Sequence, residues 1–282
     1  MQTNYLLSII VVALNPGKKL KETLDSIKMQ TYRDYEVIIK DGGSKDGALD
    51  VLEAEGYFAD FPAVNIIRQS DKSIYDGMNQ ALEYVTGRYV QFLNCGDCFY
   101  DKDVLKNVAE FIGKKEKEHM DEYAHQPLIF YGNQFNRLQN SVVTSAPVIN
   151  DFTCYRNVPC HQVCFYASEL LEERAFKTEY TVRADYEHFL YCVYERKAKT
   201  FSMPHIICFY EGGGYSETKE NRKKSAIQHK EITKHYLGKK VNCYRLIMFL
   251  SMAGLRSKIA ESPILSKPYN ALKTLVYKIK QE

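Results

Sequence analysis

No stretch of this 282-residue sequence is apolar for long enough to cross a bilayer. The longest early apolar run, residues 6–14, falls far short of the roughly 20 residues that a membrane-spanning helix needs. Residues 1–5 are polar and are not typical of a signal peptide. We therefore expect a cytoplasmic protein whose 8 cysteines are reduced.

Neither sign of charge dominates the sequence as a whole. The 38 Lys and Arg residues nearly balance the 35 Asp and Glu residues, and the net charge is only +3. We therefore expect no nucleic-acid partner. The basic excess is concentrated in residues 219–282, which carry 15 basic and 4 acidic side chains.

The cysteines lack the paired spacing of a zinc finger or ribbon. They fall into two local groups, Cys95 with Cys98, and Cys154, Cys160 and Cys164 with His161. Either group could bind zinc, and the C-x-x-C of the first group could be a redox pair. No other signal of either chemistry accompanies them, so we favour free cysteines that pack as small apolar side chains.

Predicted strands and helices alternate through the first hundred residues. Apolar runs predict strands at 6–14, 35–40, 64–68 and 88–93, and helical spacing predicts helices at 18–29, 48–55 and 73–84. This alternation indicates βαβ units, a mainly parallel sheet and an α/β fold. Right-handed crossovers place the loops after the strands at one edge of the sheet, where open α/β folds bind ligands.

Polar residues follow each predicted strand and should converge at this edge, namely Asn15, Asp41, Asp71 and Asp97. The loop that begins at Asp41 lacks the glycine order of a dinucleotide-binding or Walker motif. Its carboxylates could accept hydrogen bonds from a ribose or a base N–H, or form a turn, as we expect of Asp46. Asp97 could hold a divalent cation on a diphosphate, or could satisfy the N–H groups of its own turn.

Five segments of residues 7–100 together resemble the nucleotide-binding half of the inverting glycosyltransferases of family 2. They are Ser-Ile-Ile-Val-Val-Ala-Leu-Asn, Met-Gln-Thr-Tyr, Tyr-Glu-Val-Ile-Ile-Lys-Asp-Gly-Gly-Ser-Lys-Asp-Gly, Asp-Lys-Ser-Ile-Tyr-Asp-Gly-Met-Asn and Thr-Gly-Arg-Tyr-Val-Gln-Phe-Leu-Asn-Cys-Gly-Asp. The resemblance implies a GT-A fold, with a Rossmann-like, mainly parallel sheet flanked by helices. It implies a domain of residues 1–240, divided near residue 100 into a nucleotide-sugar half and an acceptor half.

The resemblance also implies donor-binding roles. Asp41 resembles the family's Asp that hydrogen-bonds the base, typically uracil. Asn15 ends the first motif, and Asp71 and Asp76 fall near the sugar and ribose. The predicted donor-binding set is completed by Asn94 and Asp97.

Asp97 resembles the last carboxylate of the family's D-x-D region, which binds Mn²⁺ or Mg²⁺ on the diphosphate. Two positions depart from the family pattern. Asn94 stands where many members have the first Asp, which leaves one clear carboxylate for the metal. Leu14 stands where many members have an aromatic residue, and it cannot stack on a base, so the nucleotide stays open.

Beyond residue 100 we predict a helix at 101–118 and strands at 128–132, 142–148 and 200–210. His161 and Gln162 resemble the family's His-Gln segment near the acceptor and diphosphate, although a strand with a hydrogen-bonded histidine would look the same. Asp185 lies in a segment that resembles the site of the family's catalytic base; Glu187, His188 and His161 are the other candidates. Residues 211–216 resemble a Gly-Gly-x-Ser loop that could close over the donor.

The tail, residues 241–282, reads as basic amphipathic helices. Such helices could lie on an anionic membrane surface or pack back onto the domain, and membrane contact is the expectation. The resemblance implies a metal-dependent enzyme at the inner face of a bacterial membrane. It would transfer a sugar from a UDP-sugar to a saccharide or lipid-linked saccharide in surface polysaccharide biosynthesis. The alternative is a non-catalytic nucleotide- or carbohydrate-binding module on the same fold.

Overall fold

The computed structural model describes residues 4–118, 126–212, 218–250, 259, 262 and 266–279. Its strands are β1 Tyr5–Ala13, β2 Tyr35–Asp41, β3 Val64–Arg68, β4 Gly87–Phe92, β5 Cys98–Phe99, β6 Leu128–Asn136, β7 Ser141–Val143, β8 Cys164–Ala167 and β9 Lys199–Tyr210. Its helices are α1 Lys18–Lys28, α2 Ala48–Ala54, α3 Ile74–Leu82, α4 Val104–Glu118, α5 Asp151–Arg156, α6 Ser168–Glu173, α7 Ala184–Tyr194, α8 Lys219–Leu237, α9 Lys240–Leu250 and α10 Ser266–Ile279. Short 3₁₀ turns lie at Tyr57–Asp60 and His161–Val163.

The described strands form one nine-stranded sheet in the order β3-β2-β1-β4-β8-β6-β9-β5, with β7 paired to β6. The first four strands of this order are parallel, which confirms the α/β prediction. β2 and β4 flank β1 on opposite sides, so the strand order reverses there. Such a switch point opens a crevice at the carboxyl ends of the strands, and the loops after β1, β2 and β4 lie around it.

The burial of side chains explains why the strands and helices of the first half of the chain have recognisable sequence patterns. All seven residues of β2 are buried, as expected for a strand covered on both faces by helices. α1 buries Leu20, Leu24 and Ile27, which recur at helical spacing, and leaves the lysines of its first turn exposed. α3 begins at the N-cap Ser73, whose hydroxyl accepts the Asp76 N–H at 3.2 Å.

Two predicted elements beyond residue 100 are shorter than the sequence pattern indicated. α4 begins three residues later than predicted because the Asp101 carboxylate accepts the Asp103 N–H at 2.8 Å and forms a turn before the helix. The strand predicted at 142–148 ends at residue 143. Ser145 leaves the ladder because its N–H and its hydroxyl both donate to β6, at 2.9 Å and 2.6 Å.

Two helices of the tail are described, α9 and α10, and α10 packs on the domain. The buried Asn270 side chain donates to Ser141 Oγ at 3.1 Å, and Lys273 Nζ donates to the Thr144 carbonyl at 2.8 Å. α10 therefore packs onto the domain, as the alternative proposed, and membrane contact of the tail stays a prediction. None of the described helices is both long and apolar enough to cross a membrane.

Candidate functional site

The loop after β2 is folded by contacts among the residues predicted to line the crevice. The Asp41 carboxylate accepts the Ser44 N–H, which lies 3.2 Å from each of its oxygens. Ser44 Oγ accepts the Asn15 N–H at 2.8 Å, and Asn15 Oδ1 accepts the Lys45 N–H at 2.8 Å. Asp46 accepts the N–H of the first residue of α2 at 3.2 Å, as expected. One loop therefore joins Asn15 to Asp41, and Asp41 does form a turn.

A buried ion pair fixes Asp71 beside this loop. Lys40 Nζ lies 3.1 Å from Asp71 Oδ2, and the two side chains are 0% and 7% exposed. Lys40 also donates to the carbonyls of Asp41 and Gln69. A Cβ on Gly42 would come within 2.5 Å of Asp71 Oδ2, so the close approach of the loop requires glycine.

Asp76 has a structural contact at the start of α3. Its Oδ2 accepts the Lys72 N–H at 2.7 Å, and Gln80 Nε2 donates to the same oxygen at 3.3 Å. These bonds hold the turn that leads into the helix. The donor-binding role of Asp76 stays a prediction.

Asp97 lies at a sharp corner after β4 and is almost fully buried. Its Oδ2 accepts a hydrogen bond from Gln162 Nε2 at 2.9 Å, and its Oδ1 accepts the Glu211 N–H at 3.0 Å. Gly96 has a φ of +103°, and a Cβ there would lie 2.6 Å from Glu211 Oε2. Burial raises the pKa of Asp97 despite these two donors.

A second cluster links β4 to α7 through His161. Asn94 Nδ2 lies 3.0 Å from His161 Nε2, and His161 Nδ1 lies 2.9 Å from Asp185 Oδ2. Since the Asn94 amide donates to Nε2 in this arrangement, the imidazole carries its proton on Nδ1 and donates to Asp185. Asp185 Oδ1 accepts the Tyr75 hydroxyl at 2.9 Å and the Tyr186 N–H at 2.8 Å.

These bonds set the charge state of Asp185. Burial alone would raise the pKa of Asp185, but the donors His161 and Tyr75 hold it below its ordinary value. The side chain is 24% exposed, so a ligand can reach it. Asp185 is therefore an ionised, accessible carboxylate, held in place at the second residue of α7.

The other two predicted base candidates on α7 lie elsewhere. Glu187 is buried against Arg174 Nη2 at 2.9 Å and also accepts the Tyr236 hydroxyl at 2.7 Å. His188 is fully buried, and burial lowers its pKa to about 3, which keeps it neutral. These side chains hold α7 in the core, so Asp185 stays the preferred candidate for the base.

Seven of the eight cysteines are buried or half-buried, as thiols that pack as small apolar groups are, and Cys243 is exposed. All 8 are free, and the part of the chain that the structure describes holds no group of three His, Cys, Asp or Glu side chains arranged to bind a metal. Burial raises the pKa of Cys95 and of Cys160 to about 12, so both thiols stay protonated and are poor nucleophiles.

Comparison with known proteins decides the family. The family model described as "Glycosyl transferase family 2" matches residues 8–152, just over half of the chain. A "PGL/p-HBAD biosynthesis glycosyltransferase" of Mycobacterium bovis is 33% identical over 218 residues, which cover 76% of this chain and 80% of the relative. The chain belongs to glycosyltransferase family 2.

Solved structures agree with this family-2 chain in fold. The S. aureus protein TarS 1–349, solved with UDP-GlcNAc, superposes with a TM-score of 0.61 at 18% identity, over 86% of this chain and 74% of that one. The mannosyltransferase PcManGT from Pyrobaculum calidifontis, solved with GDP-Man and Mn²⁺, gives 0.60 at 17% identity, over 97% and 85%. The predicted GT-A fold is thereby confirmed.

The residues at the corner after β4 fit a divalent cation only if the nucleotide supplies further ligands. Asp97 is the one carboxylate that the family-2 motif offers there, and the nearby Glu211 is paired with Lys19 Nζ at 2.9 Å. Mg²⁺ sites built from one or two carboxylates, phosphate oxygens and waters are common. Asp97 therefore fits a cation shared with a diphosphate and does not fit a site built from protein ligands alone.

Two residues of the candidate site, Lys40 and Tyr75, were not predicted from the sequence. Lys40 had a usable signal, because a lysine inside an otherwise apolar strand must find a buried partner. Tyr75 had none, since its bond to Asp185 joins α3 to α7 across the fold. The predicted Gly-Gly-x-Ser loop lies at 211–216, of which residues 213–216 are outside the described part of the chain.

Proposed function

We propose that this chain is a metal-dependent, inverting glycosyltransferase that moves a sugar from a UDP-sugar to a saccharide or lipid-linked saccharide acceptor. The observation that carries the proposal is the pair His161–Gln162. Gln162 donates to Asp97, the predicted diphosphate and metal residue, while His161 donates to Asp185, the predicted base. Two adjacent residues therefore join the leaving-group end of a transfer site to its nucleophile end.

Inversion needs one in-line displacement at the anomeric carbon. Asp185 takes the proton of the acceptor hydroxyl as that oxygen attacks, and its two oxygens are held by donors from three directions. His161 and Tyr75 orient the carboxylate, and the carbon–oxygen bond to the diphosphate breaks on the opposite face. A divalent cation bound at Asp97 would supply charge neutralisation for the departing diphosphate.

The donor end of the proposal rests on the loop after β2. Asp41, 7% exposed, is proposed to accept the base N–H, with Asn15 and Asp71 shaping the adjacent wall. Leu14 is 59% exposed at the end of β1 and would offer the base an apolar edge in place of an aromatic face. UDP-GlcNAc in the structurally similar TarS supports a uridine nucleotide.

The exposed apolar face of α9 suggests where the enzyme meets its acceptor. α9 leaves Leu246, Phe249 and Leu250 between 56% and 79% exposed, and basic residues flank and interrupt this apolar run. We propose that α9, rather than α10, touches an anionic membrane surface. A peripheral site at the inner face of the cell membrane suits lipid-linked acceptors of surface polysaccharide assembly.

A two-stage experiment tests the proposal. A thermal-shift screen of the full chain across UDP-, GDP- and dTDP-sugars with Mn²⁺ should give its largest stabilisation with one UDP-sugar, because ligand binding raises stability by mass action. Release of UDP from that donor should then require an acceptor and should stop with a chelator. Donor binding without any turnover across the saccharide acceptors tested would instead support the binding-module alternative.

A further inference from the structure

The corner after β4 holds a second carboxylate beside Asp97. Glu211 directly follows β9, and its backbone N–H donates to Asp97 Oδ1 at 3.0 Å. Its side chain lies over the same corner, since a Cβ added to Gly96, the residue before Asp97, would come within 2.6 Å of Glu211 Oε2. Burial is the main cause of the raised pKa of Asp97, and the negative charge of Glu211 adds to it. The two carboxylates therefore lie close enough to interact.

Lys19, in the first turn of α1, neutralises Glu211. Its Nζ lies 2.9 Å from Glu211 Oε2, and the two side chains are 52% and 40% exposed. An ion pair as exposed as this one contributes little to stability, because water screens both charges. The bond nevertheless joins residues 192 positions apart and holds an ammonium group at the corner where the diphosphate is proposed to bind. Glu211 can therefore exchange this partner at small cost.

We propose that Glu211 is the second carboxylate ligand of the cation, and that Lys19 passes from Glu211 to the donor diphosphate when the cation and the nucleotide bind. The proposal rests on the metal-dependent transfer proposed above and adds two residues outside the D-x-D region. Mg²⁺ is commonly held by one or two carboxylates and by phosphate oxygens, and Mn²⁺ accepts the same oxygen ligands. Since Asn94 stands at the first acidic position of the D-x-D region, Asp97 supplies one carboxylate and Glu211 the other.

The exchange leaves every charge with a partner. Two neighbouring carboxylates repel one another, and a divalent cation bound to both relieves that repulsion. The ammonium group of Lys19, released from Glu211, then faces the diphosphate, which a lysine binds as a point charge. Because Lys19 competes with the cation for Glu211 until the diphosphate takes up its charge, the cation and the nucleotide should each strengthen the binding of the other.

The first test measures how strongly the binding of Mn²⁺ and of UDP is coupled. The Kd of UDP for the full chain is measured by calorimetric titration in excess Mn²⁺ and again in EDTA, and the ratio of the two values is the coupling. We expect Glu211→Gln to reduce this ratio at least about tenfold, because one ligand of the cation is lost. The Kd of UDP in EDTA should not rise, since Lys19 stays available to the diphosphate. Glu22→Gln removes an exposed carboxylate from α1 and should leave the ratio unchanged.

The second test releases Glu211 from its lysine. In Lys19→Met, Mn²⁺ should bind the nucleotide-free chain at least about fivefold more tightly than it binds the parent, whereas UDP should bind more weakly in EDTA. The electron paramagnetic resonance signal of free Mn²⁺ measures the metal affinity. The double variant Lys19→Met, Glu211→Gln should lose the gain. Lys18→Met removes the exposed neighbouring lysine and should show no gain, and an equal gain there would overturn the proposal.

The variant Asp97→Asn separates a failure of this proposal from a failure of the proposed function. If UDP binds with Mn²⁺ and Asp97→Asn removes the coupling, the donor site itself is supported. An unchanged coupling in Glu211→Gln, or no gain in Mn²⁺ affinity in Lys19→Met, then overturns the role of Glu211 alone. A parent chain that binds UDP no better in Mn²⁺ than in EDTA would overturn the metal-dependent site and this proposal with it.

Discussion

At the scale of single residues, the proposed function depends on two carboxylates in opposite electrostatic states. Asp185 is held ionised by donors from His161 and Tyr75, whereas burial favours the protonated form of Asp97. A base must be free of its proton before it acts, and a carboxylate that binds a cation gains its partner only with the ligand. The two environments suit the two roles proposed for them.

Replacing Asp185 with Asn should separate catalysis from structure. Asn keeps the shape and can still accept the Tyr75 and Tyr186 bonds, but it cannot take a proton. We expect a folded protein with normal donor binding and sugar transfer reduced at least roughly 10²-fold, the low end for general-base catalysis. Product formation in single turnover measures this. Glu187→Gln is the control on the same helix, and near-normal transfer by Asp185→Asn would assign the base to His161.

The pH dependence of the transfer rate is a second test of Asp185 as the base. Because the pKa of Asp185 lies below its ordinary value, the carboxylate stays ionised as the pH falls through the usual carboxyl range. We expect the limiting transfer rate to change little between pH 8 and pH 5.5, with loss only at more acidic values. The rate at saturating donor and acceptor tests this. An acid limb near pH 6.5, where ordinary imidazoles titrate, would indicate a histidine base.

Asp97→Asn should cost binding but not stability. The raised pKa means that the folded chain holds the proton more tightly than the unfolded chain, so the ionised carboxylate lowers the free energy of unfolding at neutral pH. We expect Tm at pH 7 to be unchanged or higher by a few degrees, roughly 1 kcal/mol. Mn²⁺-dependent donor affinity should nevertheless be lost. Calorimetric titration checks this, and undiminished metal-dependent affinity would remove Asp97 from the metal site.

At the scale of elements, the two described helices of the tail differ in what covers them. α10 lies against β7 through buried hydrogen bonds, whereas α9 leaves large apolar side chains exposed. An amphipathic stretch in the sequence shows only that a helix has an apolar face. Whether protein or lipid covers that face depends on neighbours distant in the chain.

The membrane role of α9 can be tested by two polar substitutions. The double variant Phe249→Ser, Leu250→Ser removes two apolar side chains that would be buried in the membrane interface. Burying one such side chain fully contributes about 1.5–3 kcal/mol to the free energy of binding. We expect binding to anionic vesicles to fall at least tenfold in a sedimentation assay, with donor binding unchanged. The exposed Leu272→Ser on α10 serves as the control. Equal vesicle binding by the double variant and the parent would mean that α9 does not touch the membrane.

At the scale of the whole molecule, one sheet carries both ends of the proposed reaction. The parallel strands β1, β2 and β4 position the donor residues, and antiparallel pairing of β8 with β4 brings the His161 turn against them. Because β6 joins β8 to β9, Glu211 at the end of β9 reaches Asp97. The predicted boundary near residue 100 therefore falls within one continuous sheet, and the division of roles there stays a prediction.

Deleting the last part of the chain tests how far the domain depends on it. A chain that ends at residue 250 lacks α10, and with it the buried Asn270 and the bond from Lys273 to the Thr144 carbonyl. We expect Tm to fall by at least about 4 °C, since a loss of roughly 2 kcal/mol has that effect at this size. Differential scanning calorimetry measures it. An unchanged Tm would show that α10 contributes nothing to the stability of the domain.

The sequence by itself determined the alternation of strands and helices in the first hundred residues and the sheet edge at which their loops gather. Apolar runs, helical spacing and right-handed crossovers depend on neighbours in the chain, so β1 to β4 and the crevice edge with Asn15, Asp41 and Asp97 could be predicted. Only the tertiary structure decided which polar groups touch. Asp185 is placed by Tyr75, 110 positions earlier, and Asp97 by Glu211, 114 positions later. The tertiary structure also places Glu187 and His188 in the core and packs α10 on β7. These contacts depend on packing between distant elements, which the periodicity of the sequence does not encode.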